Sequence, residues 1–268
     1  MPKVDAVISG LLWKRRLGSF GKLIPKGKSR RIFLIYHAVG SGPLSLSVDN
    51  FNLQMDWLEK HAKVESLESL ISQPDLPGLR VALTFDDGYH SVFSVAAPIL
   101  AKHAFPATVY LNTGMIAENG HYPSDSTLGH YPQEEFLNWP EVVALDRCGW
   151  TIGSHGVDHV DLTKISDVEV MEQLQASRKE IVQRLGKECR HFCYTWGNND
   201  QRVRNLVRGA GYQTAVAAIH APLRSTSDPM ALERIDVRRE YELKDFIATM
   251  QGDWDFLAVI QRLRRLRQ

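Results

Sequence analysis

The sequence predicts an α/β fold, a distorted (β/α) barrel of about seven parallel strands in a single domain. Three observations predict it. Short apolar runs alternate with stretches of helical periodicity seven times, the pattern of a parallel sheet covered by helices. No linker splits the 268 residues and no internal repeat is present. His37, Asp86, Asp87, Asn112, His155, Trp196 and His220 all fall just beyond the carboxyl ends of the expected strands. In a barrel those ends meet at one rim, where barrel enzymes place their chemistry. An open doubly wound sheet shares the alternation; the rim pattern favours the barrel.

Taken in order, residues 1–31 read as a basic N-terminal extension and 32–268 as the barrel. The extension carries nine Lys and Arg against Asp5. Val4, Val7, Ile8, Leu11 and Leu12 share one helical stripe with basic residues following, which suits peripheral contact with an anionic membrane. Arg31 to Tyr36 is the first strand, and the Gly-, Ser- and Pro-rich residues 38–48 form a loop. Asp49 or Asn50 caps a helix through Phe51, Met55, Leu58 and His61. Pro74, Pro77 and Gly78 mark a loop before the strand Val81 to Phe85. Pro98 predicts a kink or early stop in the helix that follows. Ala107 to Leu111 is the third strand; the long polar stretch 114–135 after it is of a kind usually functional or mobile. Trp139 and Pro140 open a helix, Gly149 to Gly153 is a strand, and a long helix covers 166–185. His191 to Tyr194, Thr214 to Ile219 and Ala231 to Val237 complete the strands, and the last helix runs from about Leu243, broken near Gly252.

Composition narrows the function. Hydrophobic content of 44% and charged content of 24% are ordinary for a globular chain. No run of eighteen apolar residues offers a membrane span, and the N-terminus lacks the apolar core of a signal peptide. A cytoplasmic protein, peripheral at the inner membrane face, is therefore expected. Cys148, Cys189 and Cys193 are too few and oddly numbered for a disulfide framework and read as free thiols. Net charge is +1, with both ends basic and the body acidic, so no nucleic-acid partner is expected. The oligomeric state is not written in the sequence.

Two motifs carry chemistry. In Thr84-Phe85-Asp86-Asp87-Gly88, two carboxylates stand at the mouth of an apolar strand. They repel one another and resist burial unless a cation or a shared proton relieves them. In Ser154-His155-Gly156-Val157-Asp158-His159, two imidazoles four residues apart converge on one ion if the segment turns into a helix. Two imidazoles and one carboxylate leave an open coordination position, the pattern of a catalytic metal. Each motif alone is common; both at strand ends of one barrel point to a catalytic metal site.

With these motifs the chain resembles the polysaccharide deacetylases, carbohydrate esterase family four, which share the nodulation-type chitooligosaccharide deacetylase domain. The resemblance runs from about residue 32 to 240. It implies Asp86 as general base and Asp87, His155 and His159 as ligands of a divalent ion, zinc first, with cobalt, nickel or iron as substitutes. The family's third motif, Arg-x-Pro-Tyr-Gly, is degraded to Cys193-Tyr194-Thr195-Trp196-Gly197, so the Arg that pairs with the base is missing. Tyr194, Thr195 and Trp196 are still expected to line the site, as is Asn112. Tyr36-His37-Ala38-Val39 is similar to the opening of the permuted poly-N-acetylglucosamine deacetylase subgroup, which implies His37 as general acid, with His220 the competing choice. Leu232-Glu233-Arg234-Ile235 resembles that subgroup's late motif and offers Arg234 as substitute for the missing Arg or as a structural ion pair. The activity implied is metal-dependent removal of an acetyl group from an N-acetylated amino sugar in a surface polysaccharide or its lipid-linked precursor. Removal of a formyl or O-acetyl group, or saccharide binding without catalysis, are the alternatives.

Overall fold

The computed structural model describes residues 4–21, 27–73 and 75–265. Helix α1 (Val4–Gly21) precedes β1 (Ser29–Tyr36), α2 (Val48–His61), β2 (Lys63–Val64), α3 (Leu67–Ser72) and β3 (Gly78–Phe85). A π-helical turn (Val92–Ala96) leads into α4 (Ala97–Lys102), then β4 (Ala107–Leu111), α5 (Trp139–Arg147), β5 (Thr151–Ser154) and α6 (Asp167–Leu185). The chain ends with β6 (His191–Cys193), α7 (Gln201–Gly209), β7 (Thr214–Val216), β8 (Ile235–Asp236), α8 (Leu243–Met250) and α9 (Phe256–Arg265).

The strands form one curled sheet in the order β7-β6-β5-β4-β3-β1-β8, with β2 paired to β3 off this path. Every pairing is parallel, so all carboxyl ends face one rim, as the alternation predicts. The expected last strand, Ala231 to Val237, is mostly irregular because it serves two neighbours. Leu232 bridges Val216 of β7, and three residues on Ile235 pairs with Leu34 of β1. One segment thus carries the circuit from the last strand to the first. The core between sheet and helices includes Ile32, Leu34, Val81, Leu83, Phe85, Val109, Phe192 and Ile235, all essentially without solvent exposure.

Local chemistry explains where elements begin. Ser47, rather than Asp49 or Asn50, caps α2 by accepting from the Asn50 N–H. Ser166 and Glu169 close a capping box on α6, and Asn138 and Glu141 close one on α5. Pro98 follows directly on the π-helical turn in one continuous helical run (Ala96 φ −68°, ψ −45°), so the wider turn ahead of it, rather than an early stop, accommodates the proline. The expected terminal helix is two helices, α8 and α9, with Gly252 at φ 80° between them.

Helix α1 packs on the C-terminal part of the chain. Arg15 bonds both Asp245 oxygens (2.7 and 2.6 Å), and Lys14 donates to the Tyr241 hydroxyl (2.9 Å). Leu12 and Trp13 are exposed. The side chains of Val4, Val7 and Ile8 lie outside the described residues, as do those of the basic tail and the loop position Pro74. Among the described residues, no helix is long and apolar enough to cross a membrane.

Candidate functional site

Asp86 and Asp87 leave the end of β3 in an unusual way. The Asp86 N–H still bonds Tyr36 O (2.9 Å), extending the β1–β3 ladder by one residue. Asp87 and Gly88 then adopt left-handed conformations, φ 71° and 77°. That turn brings both carboxylates to the rim, and it costs Asp87 backbone strain on the order of 1 kcal/mol or more. His159 (φ 54°) and Trp196 (φ 53°) share the left-handed region, so backbone strain gathers at this site.

The segment 155–160 does not form a helix. Gly156 (φ 84°) and the left-handed His159 fold it into an irregular loop, tied to the end of β4 by Thr113 N–H to Gly156 O (3.0 Å) and His155 N–H to Leu111 O (2.8 Å). The two imidazoles converge all the same. Nε2 of His155 and Nε2 of His159 each lie 3.4 Å from Oδ1 of Asp87. Nδ1 of His155 donates to Cys193 O and Nδ1 of His159 to Leu128 O, both at 2.7 Å. With the Nδ1 protons spent on carbonyls, both Nε2 atoms are turned to the carboxylate.

These residues fit a metal ion. Bonds of about 2.1 Å in a tetrahedron put ligand atoms roughly 3.4 Å apart, the spacing found here. The electrostatics agree. Burial would lower His155, but its neighbours Cys193, Asp87 and Asp86 hold it well above the usual imidazole value, whereas burial takes His159 down to about 4, leaving it a neutral ligand. Burial would raise Asp87, and the His155 hydrogen bond with the His37 and His159 charges pulls it down instead. Asp86, His155 and Cys193 form an overlapping group, but both oxygens of Asp86 are engaged elsewhere.

That engagement is Arg234. Its Nη1 and Nη2 each bond one Asp86 oxygen at 2.7 Å, while Nε donates to Ala217 O (3.1 Å) and Nη1 to the Thr84 hydroxyl (2.9 Å). Cys193, the residue standing in the third-motif Arg position, lies with its sulfur 3.0 Å from Arg234 Nη2. Burial would raise Asp86, yet the guanidinium charge and its two bonds hold the carboxyl below its usual range. The arginine missing from one strand end is therefore replaced from β8's approach, on the opposite side of the sheet's closure.

His37 leaves β1 half-buried, stacked on Tyr131 at 5.2 Å, and lines the same cavity of about 590 Å³. His220 lines it too, and burial pushes its imidazole down to about 4. Trp196 is half-exposed at the wall, edge-on to His159 at 5.1 Å. The other three expected lining residues stand behind the wall. The Tyr194 hydroxyl donates to Met230 O, Thr195 is buried, and Asn112 Nδ2 donates to His155 O. Their strand ends reach the rim, but their side chains are used to hold it.

Sequence reasoning overlooked Leu128, Gly129 and Tyr131. They come from the long 114–135 stretch, which folds over the site, and their roles rest on a backbone carbonyl, a close approach and a ring contact that leave no local signature. It also gave no hint that Trp13 and Lys14 of α1, with Ile260 and Gln261 of α9, wall the far end of the cavity.

Known proteins resemble this chain in sequence and in fold. The sequence profile of the polysaccharide deacetylase domain matches residues 74–215, just over half of the chain. A Bacillus subtilis protein named as a polysaccharide deacetylase, YxkH, is 24% identical over 76% of this chain and 70% of its own. The poly-β-1,6-N-acetyl-D-glucosamine N-deacetylase of Staphylococcus aureus is 22% identical over 71% and 67%. The fold is that of the Streptococcus pyogenes deacetylase PplD (TM-score 0.71, 21% identity, 84% of this chain and 99% of that one). It is equally that of IcaB from Ammonifex degensii (TM-score 0.72, 20% identity, 84% and 97%). The matched span holds both Asp86-Asp87 and the His155–His159 loop, so profile and geometry meet on the same residues, and the chain belongs to the polysaccharide deacetylase family.

Proposed function

We propose that this protein hydrolyses the N-acetyl group of an amino sugar in a surface polysaccharide or its lipid-linked precursor, with a divalent ion, zinc first, held by Asp87, His155 and His159. The observation that carries the reading is the division of labour between two adjacent carboxylates. Asp87 faces two imidazole Nε2 atoms, while Asp86, beside it, is clamped by Arg234. A structural metal site has no use for the second, separately held carboxylate.

When bound, the ion would polarise the acetamide carbonyl and acidify the attacking water. Asp86, kept ionised by Arg234, takes the proton of that water as it adds to the carbonyl carbon. The developing oxyanion needs a donor besides the ion. Tyr194 N–H is spent on Val216 O (3.2 Å), so the backbone of Thr195 or Trp196 is assigned that role. His37 protonates the departing amine from the other side of the cavity; its ring is held in place by Tyr131. His220, deeper and held neutral by burial, is the weaker choice of acid. Trp196 offers an exposed ring face to a sugar.

For the substrate, the cited relatives named for poly-N-acetylglucosamine point to an N-acetylhexosamine chain. The exposed Leu12 and Trp13 on α1, Trp13 also walling the cavity, suit a substrate presented at a membrane surface, with the protein peripheral to it. The test is acetate release from a panel of N-acetylated saccharides with and without zinc or cobalt. Metal-dependent release that Asp87→Ala abolishes supports the reading. Release of the same size from Asp87→Ala, or from metal-stripped enzyme, overturns it.

A further inference from the structure

A second cluster of metal-ligating side chains lies outside the catalytic rim. His90 opens the helical turn after the Asp86-Asp87 motif, His121 sits in the long 114–135 stretch, and Glu141 is in the first turn of α5. Nδ1 of His90 and Nε2 of His121 both approach the same atom, Glu141 Oε1, each at 3.0 Å. Their rings are 4.1 Å apart. We propose that these three residues form a second site for a zinc-class transition ion, which fastens the loop covering the active site.

Three features of the cluster argue for an ion rather than a chance contact. Glu141 is aimed: its Oε2 is fixed by the capping box, accepting from Asn138 N–H at 3.2 Å, which leaves Oε1 facing the imidazoles. Nδ1 of His90 is inaccessible to solvent and makes no hydrogen bond, although it is 3.0 Å from that oxygen. Finally, Glu135 Oε2 stands 3.9 Å from the opposite nitrogen of His121, too far to bond it but adding a second negative charge beside the imidazole pair.

The ligand chemistry sets the class of ion. Two imidazoles and a carboxylate suit zinc, and equally nickel or copper, over calcium or magnesium. The present spacings of 3.0 Å need to open by only about 0.4 Å to reach a tetrahedral edge. All three side chains are partly exposed, so an ion has an entry path and water can take the open position.

The location gives the ion a consequence. Between His121 and Glu141 runs the stretch that supplies Leu128 O to His159, Tyr131 to His37 and Gly129 to the face of Trp196. Tying His121 to His90 and α5 pins that stretch at its base. The ion would be a positioning element, with no contact to substrate.

The test counts zinc by equilibrium dialysis in the Asp87→Ala background, which keeps it independent of the catalytic reading. Asp87→Ala should hold one zinc per chain, and Asp87→Ala with His121→Ala should hold none. Zinc should also slow proteolytic cutting within 118–135 at least several-fold in Asp87→Ala and leave the His121→Ala pair unprotected. No zinc in Asp87→Ala, or one zinc retained after His121→Ala, overturns the proposal. Because His121 is in a partly exposed loop, a folded far-ultraviolet spectrum is expected for its variant; Glu141→Gln, a near-isosteric change, must reproduce the loss.

Discussion

Asp86 and Arg234 are separated by 148 residues and joined by two parallel hydrogen bonds, both side chains nearly buried at the cavity wall. Each buries a charge that the other must balance. Arg234→Leu leaves Asp86 uncompensated and should cost about 3–5 kcal/mol. Asp86→Asn combined with Arg234→Leu should cost less than the sum of the two single changes, because the stranded charge is gone. Denaturant titration of the four proteins measures this coupling, and additive costs would mean that the pair is not the unit described. Asp86→Asn alone should lower turnover by roughly 10²–10⁴-fold with bound metal unchanged, the size of a lost general base. At this scale the motif residues were legible, since two carboxylates and two imidazoles at strand ends have few uses. The partner of Asp86 was only half legible. Arg234 could be named from the late motif, but an arginine fork closing on a carboxylate is a fact of three-dimensional distance.

Among the elements, α1 shows most clearly how packing redirects a sequence signal. Its basic residues resemble those of a surface-bound helix, yet Arg15 and Lys14 turn inward to Asp245 and Tyr241. Two glycines make the close approach possible. A Cβ on Gly18 would come 2.5 Å from Nε1 of the buried Trp254, and one on Gly21 would come 2.1 Å from Asp253 O. Gly18→Val should therefore undock α1 at a cost of about 1–3 kcal/mol, as overpacking does. The expected readouts are a melting temperature lower by several degrees and faster proteolysis before residue 27. An unchanged melting temperature would show that α1 is not seated on Trp254. Neither glycine carries a signal by which its role could be read in advance, because the obstructing residues are more than 200 positions away.

Across the whole molecule, the parallel sheet depends on links between distant elements, and one of them titrates. Glu68 on α3 accepts from Thr151 of β5 and meets His191 of β6 at 3.0 Å. Burial would raise its carboxyl, but the His191 and Thr151 contacts pull it from 4.5 down to about 2. A carboxyl depressed in the folded state stabilises most above its unfolded value. That contribution should be complete above about pH 4.5 and lost as pH falls toward 2. Glu68→Gln should lower stability at pH 7 modestly, since the side chain is half-exposed and screened, and should flatten the acid limb between those values. Parallel acid limbs in the two proteins, followed by thermal midpoint, would remove Glu68 from this role.

The sequence by itself determined the fold class, the run of parallel strands and the rim to which Asp86, Asp87, His37, His155, Trp196 and His220 belong. Those follow from local periodicity and from the rule that strand ends of one sense gather on one side. The helical turn that would have brought His155 and His159 together did not form, because Gly156 and His159 take left-handed conformations in a loop tied to the end of β4; the imidazoles converge without it. Which rim residues face the cavity was likewise decided by tertiary structure. Asn112, Tyr194 and Thr195 sit at strand ends as surely as Trp196, yet turn back to bind carbonyls or pack inside. The cover over the site, the Arg234 clamp and the α1 wall arise from contacts across tens to hundreds of residues. Such contacts depend on shape and distance after the chain has closed on itself, which no local pattern encodes.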